Sequence, residues 1–259
     1  MSEERIDTKE GRFLAAQRAA QERGLRRIIT AGLLLAITLL LTFTSIGFIP
    51  TPTPAGSATI AHIPAIIGGI LEGPLVGLVL ALGFGLGSFF SPLVPVKDPL
   101  IIILPRLLIG VVAFWVYAAL SRAGKRTLTV SLMIFLFLAA LLGIGLVFTL
   151  LFSPGVSQTW LWPGIIVTLI ALAGAGWLYW WLRREDVHIV ALALAGAAGS
   201  LANTIPVLTA AVLRRFVPPP MALFIGLVQG IPEAIVSGIV AVAVVATLRQ
   251  IGRHRGARL

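Results

Sequence analysis

The stretch from Ala58 to Ser91, ATIAHIPAIIGGILEGPLVGLVLALGFGLGSFFS, leaves the chain few ways to fold. It is two apolar runs joined by Glu72-Gly73-Pro74. Proline in the first turn of a helix is tolerated, because its missing N–H would have no helical partner there. The stretch therefore reads as a tight helical hairpin. The first run is short for a membrane crossing, which takes about 20 apolar residues. It carries His62 and Pro64 near one end and Gly68-Gly69 in its middle. The second repeats glycine at 77, 83, 85 and 87. Gly73 with Gly77, and Gly83 with Gly87, place small residues on one face where another helix can approach closely. Both helices are expected to pack inside a bundle and to border a cavity.

A bundle of what kind is decided by composition. Hydrophobic residues make up 58% and charged residues 12%, with a mean hydropathy of +1.01. A soluble chain carries about 25% charged residues. The expectation is an all-α, polytopic membrane protein. The first 27 residues lack an apolar run ahead of a small-residue cleavage site, so no signal peptide is expected. There is no cysteine, which excludes disulfides and thiol chemistry. A net charge of +10 would point a soluble protein toward nucleic acid. Here the charges fall in loops and tails, where topology and anionic lipid explain them and nucleic acid is not needed.

The chain divides into a polar tail (1–27), four spans (28–121), a two-span hairpin (127–182), two more spans (187–248) and a basic tail (249–259). The tail composition suits an amphipathic or solvated helix. The spans are 28–49, the two runs of 58–90, 99–121, 128–152, 160–182, 187–213 and 221–248, eight apolar segments in all. Tryptophans 160, 162, 177, 180 and 181 lie near the ends of the sixth, as expected of interface belts. With the N-terminus in the cytoplasm, sixteen basic residues face inward and only Lys97, Arg214 and Arg215 face outward. The positive-inside rule therefore places both termini in the cytoplasm of a bacterial cell membrane.

That topology puts several polar side chains in the outer half of the bundle. His62 lies about one helical turn from the outside, and Arg106 and Gln229 about two. Glu233 is one turn deeper than Gln229, and Asn203 is nearer the outer end of its helix. A charge at membrane depth costs several kcal/mol and faces a partner or a wet cavity. Each residue also has a plainer use. Arg106 either pairs with Glu233 as structural glue or contacts a ligand. Asn203 is either a helix–helix hydrogen bond or a ligand contact. His62 either caps its kinked helix or faces the ligand, and Gln229 is the weakest member. Prolines 64, 105, 206 and 232 sit close to these residues in sequence; kinked helices expose backbone groups, which at this depth are tolerated where they line a cavity. No zinc, nucleophile-elbow or phosphate-loop motif is present, and the histidines at 62, 188 and 254 lie far apart. No enzyme activity, metal or cofactor is expected, and any ATP-driven step must draw on partners.

The run His62-Ile63-Pro64-Ala65-Ile66-Ile67-Gly68-Gly69-Ile70-Leu71-Glu72-Gly73-Pro74, followed by Gly83-Phe84-Gly85-Leu86-Gly87-Ser88-Phe89, closely resembles the substrate-binding S components of energy-coupling factor (ECF) vitamin importers. So do Leu104-Pro105-Arg106-Leu107-Leu108-Ile109-Gly110 with Tyr117, the run Gly199 to Thr204, and Gly230-Ile231-Pro232-Glu233-Ala234-Ile235. The closest branch is similar to pantothenate S components, with folate-type proteins further off. The resemblance implies a six-span core with a vitamin cavity in its outer half, capped by loops 50–57 and 91–98. It implies partners as well: a membrane coupling subunit, docked on small residues of the first span (here Gly32 and Ala36), and two cytoplasmic ATPases. On this comparison 127–182 is an inserted hairpin, and its even number of spans preserves the topology.

The function expected is therefore capture of a small vitamin, pantothenate foremost, by His62, Arg106, Asn203, Gln229 and Glu233. The guanidinium would take the carboxylate through two hydrogen bonds. The alternatives are a membrane scaffold bolted by Arg106 and Glu233, or a self-sufficient ion-coupled carrier.

Overall fold

The computed structural model of the chain describes residues 3–50, 57–92, 94, 96–127, 129–130 and 186–256, together with the single positions 133, 173, 176, 180 and 184. The expected hairpin of 127–182 lies outside the described residues apart from these few positions. Among the described residues four helical stretches are long and apolar enough to cross a membrane: Gly11–Phe43, Pro99–Arg122, Val187–Leu213 and Pro219–Leu248. Ile63–Glu72 and Pro74–Phe90 are shorter apolar helices.

The first helix, α1 (Glu3–Phe43), is 41 residues long. The expected tail and first span are thus one rod of about 60 Å, twice the thickness of a bilayer's hydrocarbon core. Its C-terminal end comes earlier than the sequence implied. A 3-10 turn (Ser45–Gly47) and strand β1 (Phe48–Pro50) replace the last helical turns. The chain folds back tightly there, since a Cβ at Gly47 would collide with the Leu41 carbonyl. Strand β2 (Ser57–Thr59) pairs antiparallel with β1, Phe48 opposite Thr59 and Pro50 opposite Ser57. Among the described residues this strand pair is the departure from an all-helical chain. Residues 51–56 of the expected capping loop are not described.

Helix α2 (Ile63–Glu72) is the hub. Every residue from Ile63 to Ile70 is buried, as befits a helix apolar on all sides. It packs against α1, α3 (Pro74–Phe90), α5 (Leu108–Arg122), α6 (Val187–Leu213) and α8 (Ile231–Gly256). Its ten residues span about 15 Å, half the hydrocarbon core. The space beyond its N-terminus is filled by the strand pair and by polar side chains. The turn to α3 depends on Gly73, whose φ of 98° is open to glycine and strained for other residues. Helix α3 then shows clean sidedness. Val76, Leu80, Phe84 and Ser88 point inward, while Leu75, Val79, Leu82, Leu86 and Phe90 are exposed.

Three glycines join α2, α3 and α5 without side chains between them. A Cβ on Gly69 would strike the Gly110 carbonyl, and one on Gly77 would stand 2.9 Å from Gly110 Cα and from Gly69 Cα. The second pair expected from the sequence, Gly83 and Gly87, receives α1 instead, against Leu35, Leu39 and Thr42.

The span expected at 99–121 is broken. Helix α4 (Pro99–Ile102) ends in a turn, Pro105–Leu107 forms a 3-10 turn, and α5 follows. Pro105 has no N–H to continue the ladder, and the break leaves Arg106 in the turn. The last span is also interrupted. Helix α7 (Pro219–Ile225) passes through a π turn (Gly226–Gly230) into α8.

Gly110→Val is expected to overpack the glycine contact and to lower stability by about 2 kcal/mol or more. Gly11→Ala, where a new Cβ meets nothing within 4 Å, should leave stability unchanged or slightly raised. Thermal unfolding in detergent compares the two.

Candidate functional site

The polar side chains gather at the end of the bundle where the strand pair lies. Hydrogen bonds fix that end: Ile60 N–H to Gly47 O, Ser91 Oγ to Thr42 O, and Thr59 N–H to Glu233. Its loops are tied as well. Lys97 Nζ donates to the carbonyls of Phe89 and Ser91, closing the C-terminus of α3. Asp98 Oδ1 accepts from Leu100 N–H at 2.9 Å, capping α4. Its Oδ2 lies 2.8 Å from Arg214 Nε and 2.7 Å from Nη2. Arg214 is presented by Arg215, which ends α6 at a left-handed φ of 60°. With Arg214 half exposed, such a pair is worth about 1 kcal/mol or less. It orients the two loops more than it stabilises the fold.

Arg106 is the central feature. It is 8% exposed, and its Cζ lies 4.5 Å over the Phe84 ring. Its Nε and Nη1 are buried without a hydrogen-bond partner. Among the described residues no carboxylate forms an ion pair with it. A desolvated cation–π contact is worth about 2 kcal/mol, whereas an unpaired buried ion costs several. The ring alone does not balance the charge.

The other residues singled out from the sequence take different positions. His62 is fully buried, with its ring 6.3 Å from Phe84. It is the N-cap residue of α2 but makes no side-chain cap. Instead Nε2 meets Ser237 Oγ at 3.0 Å and Ser200 Oγ at 3.2 Å, tying α2 to α6 and α8. Nδ1 is buried without a hydrogen-bond partner. Glu233 is half-buried and accepts from Thr59 N–H at 2.6 Å. The Thr204 hydroxyl reaches the same carboxylate. Glu233 therefore holds β2, and Arg106 acts on it only through its charge. Asn203 is buried at 6% exposure, its Oδ1 without a partner. Its helix packs against both the Pro105–Leu107 turn and the π turn that carries buried Gln229. Phe84 thus brings His62 and Arg106 together, while Glu233 is drawn toward the strand pair.

Several participants were not identified from the sequence. Phe84 and Ser88 lay within a run read for its glycines and its resemblance, with no role given to either side chain. Their signal was present nonetheless: Ser88 is the sole hydroxyl between 74 and 90 and stands one turn beyond Phe84. Gly32 and Ala36 are exposed on α1, and nothing lies within 4 Å of a Cβ built on Gly32.

The family model described as "ECF transporter, substrate-specific component" matches residues 26–174. His62 and Arg106 fall inside the match; Asn203, Gln229 and Glu233 lie beyond it. No curated protein matches the chain.

Replacing Glu233 by alanine should release the Thr59 amide. Hydrogen exchange across residues 57–61 is expected to quicken by roughly tenfold or more, the loss of one hydrogen bond to a charged group. Exchange at Gly110 serves as the internal reference and should not change.

Proposed function

The chain belongs to the substrate-specific component family of ECF transporters, and from that premise we propose that it captures a small carboxylate vitamin, pantothenate foremost, at the end of the bundle that carries Arg106. Members of this family are the membrane subunits that bind a small-molecule substrate and work with a transmembrane subunit and ATPase subunits; they are transport proteins and not enzymes. The observation that carries the substrate reading is the guanidinium of Arg106, buried over an aromatic ring with two nitrogens unfilled. An anionic oxygen group supplies what it lacks, in charge and in hydrogen bonds.

The remaining roles of Asn203, Glu233 and His62 follow from what each has free. Asn203 Oδ1 takes a hydroxyl or amide N–H of the substrate. Glu233, whose carboxylate holds the Thr59 amide and is reached by Thr204, keeps acceptor lone pairs for a substrate hydroxyl. His62 presents its Nδ1 edge while Nε2 holds the bundle, and Gln229 completes the lining. The strand pair and the 91–98 loop form the cap. We place this end outside and both termini in the cytoplasm, since Arg27 and the Gly73 turn meet at the opposite end, on the side rich in basic residues. Gly32 and Ala36, on an exposed face between Ile28, Leu33 and Leu40, form the docking stripe for the transmembrane subunit, because small residues let helices approach closely.

Purified protein should bind pantothenate, and Arg106→Ala should weaken binding on the order of 100-fold, the loss of a charge-assisted contact of about 3 kcal/mol. If neither pantothenate nor related vitamins bind, and the variant leaves uptake unchanged, the assignment fails. Gly32→Leu with Ala36→Leu should abolish co-purification of the transmembrane subunit while equilibrium binding of the vitamin stays intact. Loss of both together would place the stripe elsewhere.

A further inference from the structure

We infer that Ser88 is a substrate-contacting residue that sets specificity, donating its hydroxyl to the same anionic group that Arg106 receives; this rests on the functional reading above. The argument begins with how helical hydroxyls behave in this chain. Thr30, Thr38, Thr42, Thr209 and Thr247 each turn the hydroxyl back to the carbonyl four residues earlier, at 2.6–2.9 Å. That is the usual resort of a hydroxyl with no better partner at apolar depth. The hydroxyls of Ser200 and Ser237 are held by His62. Ser88 does neither. It is 1% exposed, and its Oγ has no partner.

Its position says what the hydroxyl is kept for. Ser88 stands one turn beyond Phe84 on the inward face of α3, where neighbours four apart sit about 5–6 Å from each other. Phe84 is the ring that carries Arg106. Helix α3 runs along the broken segment, packing on the Pro105–Leu107 turn, and a Cβ at Gly85 would stand 3.3 Å from Ile103 Cα. The free hydroxyl therefore stands one helical turn from the ring that carries the free guanidinium nitrogens, on a helix packed against the turn that holds Arg106. A buried hydroxyl without a partner is a net cost to the empty protein, and Ser88 and Arg106 both donate. The group that satisfies them together is an anion with several acceptor oxygens, a carboxylate above all. Asn203 Oδ1, also free and nine-tenths buried, then selects a ligand with a hydroxyl or amide N–H near that anion.

Ser88→Ala is the test, with pantothenate as probe. The Kd should rise about tenfold, one hydrogen bond to a charged acceptor. The melting temperature of the substrate-free variant should hold or rise, because an unsatisfied hydroxyl has been removed. A Kd within twofold of the wild type overturns the assignment to Ser88 and leaves the functional reading standing. A lowered melting temperature in the substrate-free state also overturns it, since the hydroxyl would then be structural. Wild-type protein that binds no carboxylate vitamin sinks the functional reading and this inference with it.

Discussion

Where Gly69, Gly77 and Gly110 meet, three helices touch backbone to backbone, and the rest of the bundle is set by that contact. In lipid the helices gain little from hiding apolar side chains, so close approach and dispersion do the holding. A methyl group at any of the three positions would force the axes apart. With α2, α3 and α5 fixed below, their upper ends are fixed too: the N-terminus of α2 with His62, the Phe84 turn of α3, and the broken segment that leads Arg106 into α5. The short length of α2 then matters. A full-length helix would fill the upper half of the bundle with its own turns, and a half-length one leaves that volume to strands and polar side chains.

Within that volume the structure separates groups that satisfy one another from groups that do not. His62 has two serines on one nitrogen, Glu233 has a backbone amide, and Asp98 has both a helix cap and an arginine. These settle the shape of the region. Arg106, Asn203, Ser88 and the Nδ1 of His62 are left with free buried atoms, and the unpaired guanidinium is the costliest of the four. Membrane interiors punish such atoms more heavily than water-soluble cores do. Arg106 stands over the Phe84 ring and Ser88 one helical turn from it.

Much of this was legible in the chain itself. The Gly73 turn and the buried first helix of the hairpin follow from glycine, proline and hydropathy alone, whereas the span expected at 99–121 is broken at Pro105. Glycine spacing foretold close packing but not its partners: Gly77 meets α5 and α2, while Gly83 and Gly87 meet α1. The strand pair was hidden because Thr-Pro-Thr-Pro reads as loop, and a three-residue strand has no periodicity to show. The contact of Glu233 with Thr59 joins residues 174 apart, and composition cannot reach across that distance. Lys97 and Arg214, counted from the sequence only as markers of sidedness, turn out to close a helix end and to tie two loops. Ser88 went unweighed because a lone serine in an apolar helix ordinarily bonds its own backbone; its departure from that habit appears only in three dimensions.

The unbroken length of α1 has a mechanical corollary. Residues 3–27 continue as the same helix, a shaft of about 37 Å beyond the membrane-crossing part. Rock the bundle by ten degrees and the far tip of that shaft swings by roughly 6 Å, if the helix stays rigid at 1.5 Å per residue. Movements too small to disturb the packing among the glycines would arrive at the tip magnified, as at the end of a lever.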